Sequence, residues 1–180
     1  MPITMKHLQT FEDFLNEAVL NEIGEGGKAF PWKFISYNSS DMAFYYTFQS
    51  PSNKYGLIFS YLDSQRTWDC AFGKKTGPGT FNMDTTTLTG DGVFPIMSTL
   101  AEIFNDFLNV TGPKYEDEWN KPGSTSTFIT LNRISFTPTK TGNDDDRRLK
   151  LYIAYIKKQM PGAKVRIGTS YSKDEIIVEV

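Results

Sequence analysis

The residues that most often perform chemistry in proteins are scarce in this chain, which contains one histidine, His7, and one cysteine, Cys70. Zinc sites are built from several Cys and His ligands, so these two residues predict no such site. A nucleophilic triad of the Ser/His/Asp or Cys/His kind would have to use His7, which precedes the first predicted helix. We therefore expect neither a metal centre nor a triad, and a lone cysteine excludes an intrachain disulfide.

Carboxylates are grouped in two runs, "YEDEW" at residues 115–119 and "DDD" at residues 144–146. General acid–base catalysis would need one of these carboxyl groups to be buried with a raised pKa. Both runs fall in predicted loops or at a helix start, where solvent and the helix dipole stabilise the charged form. We interpret them as solvated surface. A magnesium site built from their oxygen atoms is the alternative, with no specific spacing to support it.

Two further groups of residues suit contacts with a partner protein. Trp119 lies in a charged segment bounded by Pro and Gly, and tryptophan is enriched at the centres of protein interfaces. Arg147 and Arg148 open the basic face of a predicted helix, which would attract an acidic partner or a phosphate. The alternative for the arginines is an ordinary solvated helix face. Trp119, Arg147 and Arg148 are therefore the candidate partner-binding residues.

The overall composition predicts one globular domain over residues 1–180, with 39% hydrophobic and 22% charged residues. The net charge of -2 gives no basic excess, so we do not expect nucleic acid as a partner. No apolar run reaches the roughly 18 residues of a membrane span, and the N-terminus lacks the pattern of a signal peptide. We expect a cytoplasmic protein, or a component of a particle assembled in the cytoplasm.

The helices and strands that must position these residues can be predicted from the spacing of hydrophobic residues. Helical spacing predicts three helices, at residues 10–22, at residues 93–108 and from about residue 144 to 160. Extended runs predict strands at residues 42–49, 55–62, 67–73, 81–89 and 127–138, with one or two more within 163–180. Residues 110–126 are predicted to be a loop. A meander followed by crossovers predicts an α+β fold, with a mixed, mostly antiparallel sheet and flanking helices.

A Gly-Asp-Gly turn joins the fourth predicted strand to the second predicted helix in the segment "TLTGDGVFP". Such a turn either cradles a phosphate at a helix N-terminus or makes a tight strand-to-helix connection. As a helix N-cap, Asp91 is a good structural residue, because its side chain can accept a hydrogen bond from the first turn. The structural interpretation is the one that we prefer.

The order of elements resembles the GNAT acetyltransferase superfamily. Residues 89–93, "TGDGV", correspond to the pyrophosphate loop of that family, and residues 148–152, "RLKLY", to a helix that often carries a Leu-Tyr pair. The resemblance implies a GNAT-like topology. It also implies acetyl-CoA binding by Gly90, Gly92 and Val93, and Tyr152 as general acid. Residues 134–159 also resemble the C-terminal part of small, functionally uncharacterised proteins of tailed bacteriophages.

Two residues depart from the family pattern. Thr87 stands where the family usually has a basic or amide side chain, and Asp91 places a carboxylate inside the loop. Two like charges 4 Å apart repel by roughly 4 kcal/mol at an effective dielectric constant near 20, so Asp91 opposes a pyrophosphate there.

We therefore predict a non-enzymatic accessory or interaction protein of the phage type, on an acyltransferase-like scaffold. It would use no cofactor and would bind a partner protein or self-associate, in the host cytoplasm or in the virion. The alternative prediction is an acetyl-CoA-dependent N-acetyltransferase, because acyl transfer to an amine depends mainly on positioning and tolerates a sparse catalytic set.

Overall fold

The computed structural model describes residues 27–77, 80–82, 93–121, 129–137, 146–170 and 173–180. Three predicted features lie outside the described residues: the first helix at residues 10–22, the Gly90 to Gly92 turn, and most of the strand at residues 81–89.

Eight strands form one sheet. They are β1 (Trp32–Asn38), β2 (Ala43–Gln49), β3 (Lys54–Leu62), β4 (Thr67–Gly77), β5 (Thr80–Asn82), β6 (Arg133–Phe136), β7 (Lys164–Ser170) and β8 (Lys173–Glu179). Their order is β1-β2-β3-β4-β6-β8-β7, and β5 pairs with β4 beside this path. Only β4 and β6 run parallel among the described pairs. The α+β fold with a mixed, mostly antiparallel sheet is confirmed.

Three α-helices are described, α1 (Val93–Asp106), α2 (Glu116–Trp119) and α3 (Asp146–Gln159). A π-helix (Phe107–Thr111) and a 3-10 helix (Gly112–Tyr115) connect α1 to α2. Within the described residues, no helix combines the length and the hydropathy needed to cross a lipid bilayer.

Helices α1 and α3 pack on the same face of the sheet, which we call the helix face. Phe136 of β6 shows this directly, since its ring lies 5.8 Å from that of Phe104 in α1 and 6.0 Å from that of Tyr152 in α3. The predicted buried stripe of the second helix is confirmed. Its buried apolar side chains are Ile96, Met97, Leu100, Ala101, Ile103 and Phe104.

The core between the helix face and α1 is dominated by aromatic rings. Phe59 of β3 stacks on Phe107 with ring centroids 4.1 Å apart. Trp68 of β4 is fully buried and contacts Phe44, Phe107 and Trp119. Edge-to-face and offset pairs of this kind add about 0.5–1.5 kcal/mol each beyond the burial of their area.

Side chains alternate between the two faces of the sheet, so the residues next to core positions point away from the helices. In β4, Trp68 belongs to the core, while Asp69 lies on the opposite face, which we call the outer face. Pairing of Asp69 with Ser135, and of Ser135 with Ile177, continues this outer face across β6 and β8.

Strand β1 was not predicted from the sequence. Its aromatic residues pack on β2, with Trp32 paired to Phe48 and Phe34 to Tyr46 before a register shift ahead of Ser36. The shift breaks the alternation that a strand prediction relies on, because a bulge moves the following side chains to the other face.

The prediction of a loop at residues 110–126 is wrong for its first half, which is helical. The carboxylate of Asp106 holds this helical extension to the sheet. It accepts hydrogen bonds from the Tyr46 hydroxyl at 3.0 Å and from the Thr111 hydroxyl at 2.6 Å. Burial raises the pKa of Tyr46 far above its usual value, so this hydroxyl remains a hydrogen-bond donor.

The strand predicted at residues 127–138 is shorter in the structure, since among the described residues 129–137 only Arg133–Phe136 pairs with neighbouring strands. Ile129 is buried without strand pairing, because its backbone bonds to the side chain of Asn120 instead. The Asn120 amide donates to the Ile129 carbonyl at 3.0 Å, and its oxygen accepts from the Ile129 N–H at 3.0 Å. The alternating apolar pattern that predicted a strand therefore corresponds, at Ile129, to core packing and to hydrogen bonds with the side-chain amide of Asn120.

Candidate functional site

The two tyrosines of α3 are both core residues. Tyr152, the candidate general acid, is 5% exposed and packs on Phe136 of the helix face. Tyr155 is fully buried. Its hydroxyl contacts that of Ser98 in α1, which also donates to the Gly27 carbonyl. The hydroxyl groups of Tyr155 and Ser98 therefore link α3 to α1, which is a structural role.

Of the other predicted site residues, Trp119 is the one whose side chain is described. Trp119 is 6% exposed and contacts Trp68 in the aromatic core, so its ring offers little surface to a partner in this conformation. Val93 begins α1, and Arg147 lies in the first turn of α3, as does Arg148, but their side chains are outside the described set. Gly90 and Gly92 also lie outside the described residues.

A groove of about 740 Å³ lies beside edge strand β1 and extends over the outer face of β2 and β3. Lys33 of β1, Lys54 of β3 and Lys75 of β4 line it, and all three side chains are exposed. The sheet register explains their convergence, since Tyr55 pairs with Lys74 and thereby places Lys54 beside Lys75. We call this feature the lysine groove.

The lysine groove is electrostatically uniform. None of the described residues that line it is an aspartate or glutamate, and no described carboxylate forms a salt bridge with its lysines. Ile35 and Ile58 add apolar surface, and Tyr45 and Gln49 add hydrogen-bonding groups. Three ammonium groups at a concave surface, without a described carboxylate beside them, create a positive potential that attracts an anionic partner.

A second group of polar side chains lies further across the outer face, where β4 and β6 run parallel. Asp69 is opposite Ser135, which is 1% exposed and whose hydroxyl lacks a well-formed hydrogen bond. Glu175 of β8 is 6% exposed and close enough to Asp69 to repel its charge. We call Asp69 and Glu175 the carboxylate pair.

Burial, and secondarily the charge of Glu175, raise the pKa of Asp69 above its usual value, while the Ser135 hydroxyl acts in the opposite direction. A carboxylate with a raised pKa is a stronger base at neutral pH, which is the property required of a general base. Cys70, the next residue, is not a nucleophile candidate, since burial raises the pKa of its thiol and keeps it protonated.

Replacing Asp69 with asparagine is expected to stabilise the protein at neutral pH. A carboxyl whose pKa is higher in the folded state binds its proton more tightly there than in the unfolded chain, so stability falls as pH rises from about 3.8 through the folded pKa. Asp69→Asn removes this loss. Urea denaturation at several pH values should show a variant that is more stable than the wild type at pH 7 and equal to it near pH 3.

The control for this prediction is Asp117→Asn, which changes an exposed carboxylate of α2 and should leave the stability curve nearly unchanged. A lower stability of Asp69→Asn at pH 7 would mean that the charged form makes a favourable contact that offsets its burial.

Neither group of residues was identified from the sequence. Lys33 lies in the strand that was missed, Lys54 falls in the turn before the strand predicted at residues 55–62, and Lys75 follows the strand predicted at residues 67–73. Asp69 and Glu175 are far apart in the chain and meet through the pairing of β4, β6 and β8. A polar residue between buried neighbours is the available signal, as in "TWDCAF", where Asp69 separates Trp68 from Cys70.

Among the described residues, no group of three or more His, Cys, Asp or Glu side chains could hold a metal ion. Comparison with known proteins gives no family assignment: no protein-family model, no curated protein and no solved structure matches this chain. Function must therefore be inferred from the lysine groove and the carboxylate pair themselves.

Proposed function

We propose that this protein is a non-enzymatic interaction protein, of the phage accessory type, that binds an acidic segment of a partner protein in its lysine groove. The observation that carries the proposal is the convergence of Lys33, Lys54 and Lys75, without a described carboxylate, on one concave surface. The scaffold would be acyltransferase-like in topology, with no cofactor required.

The chemistry of the groove favours an acidic polypeptide. Lysine presents a flexible point charge and suits carboxylates that are spaced along a chain, whereas bidentate recognition of phosphate usually employs arginine. Ile35, about half exposed, provides apolar contact area, and Gln49 and Tyr45 provide hydrogen bonds that fix register. The position of Tyr152 and Trp119 in the core supports a scaffold role for both residues.

Reversal of the three groove charges is expected to abolish partner binding without unfolding the protein. The variant Lys33→Glu/Lys54→Glu/Lys75→Glu should lose, in affinity capture from the native host followed by mass spectrometry, a protein that the wild type retains. The capture by wild type should also weaken at high salt, since exposed charges are screened over about 8–10 Å at physiological ionic strength.

The matched control is Lys114→Glu/Lys121→Glu/Lys157→Glu, which makes the same change in net charge at exposed lysines outside the groove. It should capture the same protein as the wild type. Equal loss of capture in both variants would mean that only the net charge of the protein matters. Equal retention of the captured protein by both variants would contradict the assignment of the groove.

The second candidate function is an acetyl-CoA-dependent N-acetyltransferase. One observation favours it: Asp69 combines a raised pKa with a position beside the parallel pair β4 and β6, where it would accept the proton of an amine. Under this function millimolar acetyl-CoA raises the melting temperature, and Asp91→Ala retains that shift. Under the interaction function the melting temperature is unchanged by acetyl-CoA and the groove-dependent capture persists, so one pair of measurements separates the two.

A further inference from the structure

Strand β7 forms the end of the sheet opposite to the lysine groove and is a regular edge. All seven of its residues pair with β8 without a register shift, whereas the other edge strand, β1, is interrupted after Phe34. Natural edge strands are usually blunted by bulges, proline or charges, because an open edge templates pairing with another chain. On β7 the charges of Lys164 and Arg166 lie on the outer face, whereas Ile167 on the opposite face is 53% exposed.

We propose that β7 pairs antiparallel with β7 of a second copy of this chain, about a two-fold axis at Ile167. In this register Val165 faces the partner's Thr169, and Arg166 faces the partner's Gly168. The two Ile167 side chains meet at the axis and bury the apolar surface that each copy exposes alone. This interface lies at the opposite edge from the groove and does not depend on the function proposed for the groove.

The sequence of β7, "KVRIGTS", is self-complementary in this register. Like charges directly opposite each other destabilise a strand pair. Here no two charged residues lie directly opposite each other, because Lys164 lies opposite the partner's Ser170 and Arg166 lies opposite a glycine. A closed two-fold pair also satisfies both edges at once and leaves no β7 edge for further growth.

Gly168 lies at the point where this interface comes nearest to the carboxylate pair. It pairs with Glu175 on the outer face, and a Cβ at this position would lie 2.8 Å from Ile177 Cδ1 and 3.6 Å from Glu175 Oε2. The side chain of Ile177 therefore already covers Gly168, and this position of the strand has no room for a side chain of its own.

In this register the partner's Arg166 lies in the same row as Gly168 and Glu175. It points to the same outer face and lies two strand spacings, about 10 Å, from Glu175, a separation that two long side chains span. Within one copy Arg166 bonds Glu179 at 3.2 Å, and its side chain is 50% exposed. Glu175 is buried, and no described cation pairs with it. In the dimer, the partner's Arg166 thus provides the positive charge that no described residue provides to Glu175 within one copy.

Oligomeric state gives the first test. The full chain is expected to be a dimer by sedimentation velocity, and Ile167→Asp should weaken the dimer about 100-fold or more, because two carboxylates replace a buried apolar contact at the axis. The matched control is Ile35→Asp, at an isoleucine of nearly equal exposure (51%) on the opposite edge. A wild-type monomer at all concentrations, or equal effects of the two variants, overturns the proposal.

Register gives the second test. Ile167→Cys should form an intermolecular disulfide under mild oxidation, because two residues facing each other across strands have Cα atoms about 4.5–5.5 Å apart, within disulfide range. Val165→Cys should not, since its copies lie about 13 Å apart along the strands in this register. Cys70 is buried and remains the same in both variants. Cross-linking of Val165→Cys in preference to Ile167→Cys would refute the axis.

The contact to the carboxylate pair is tested by a double-mutant cycle on dimer affinity. Arg166→Ala and Glu175→Gln should each weaken the dimer about 10-fold, and the double variant should be no weaker than either single variant, as expected for two groups that act through each other. Additive effects would remove Glu175 from the interface while leaving the strand pairing intact.

Discussion

Replacing Trp68 with alanine is expected to lower the free energy of unfolding by about 3–5 kcal/mol, the cost typical of deleting a large buried aromatic side chain. Trp68 is fully buried, and its ring contacts Phe44, Phe107 and Trp119 within 5.3–5.5 Å between centroids. It also lies on the strand that joins the antiparallel meander to β6, so the cavity would open between the two halves of the sheet. Urea denaturation followed by circular dichroism measures the loss.

The Trp68→Phe variant separates packing from hydrogen bonding. It keeps an aromatic ring but loses the bond that the Trp68 indole N–H donates to the Thr130 carbonyl at 3.2 Å. A hydrogen bond of this kind contributes about 0.5–1.5 kcal/mol, so this variant should lie between the wild type and Trp68→Ala. A loss below about 1 kcal/mol for Trp68→Ala would mean that the core can collapse into the space, contrary to the packing described here.

Substitution of Gly112 by alanine is expected to destabilise the protein by about 3 kcal/mol, through a clash that no side-chain rotation relieves. Gly112 is buried where the π-helix ends, and its N–H donates to the Phe107 carbonyl. A Cβ would overlap that same carbonyl oxygen and would approach Leu131 Cδ1 to 2.8 Å. The backbone must shift, which moves Phe107 out of its stack on Phe59.

The matched control is Gly162→Ala, since a Cβ there meets no atom within 4 Å. Its effect should stay within about 1 kcal/mol, with a slight gain from the restricted unfolded chain. Equal stability of the two alanine variants would show that the segment after α1 relaxes without cost, and the π-helix would then have no fixed packing role.

The outer face of the sheet is divided by charge, and this division organises both proposals. Lysines converge between β1 and β4, while the carboxylate pair lies between β4 and β8. A partner protein and a second copy would thus use opposite edges of one sheet. Binding at the groove and pairing at β7 can be disrupted separately, through Lys33 and Ile167 respectively.

The sequence alone predicted those helices and strands whose buried residues recur at regular intervals along the chain. The stripe of α1 and that of α3 predict helices, and both exist, with Pro95 in the first turn of α1 where its missing N–H costs nothing. The hairpin between β2 and β3 follows from "SPSNK", and Ser50 closes it by donating its N–H to the Asn53 carbonyl at 2.9 Å. The α+β fold with a mostly antiparallel sheet follows from the order of these elements.

The tertiary structure decided the features whose partners are distant in sequence. Strand β1 depends on the aromatic residues of β2, the helical segment after α1 on the bonds of Asp106 to Tyr46 and Thr111, and the burial of Ile129 on Asn120. The lysine groove and the carboxylate pair arise in the same way, because sheet pairing unites residues that have no relation along the chain. A hydrophobic period reports which side of an element is buried, but strand register decides which polar groups meet.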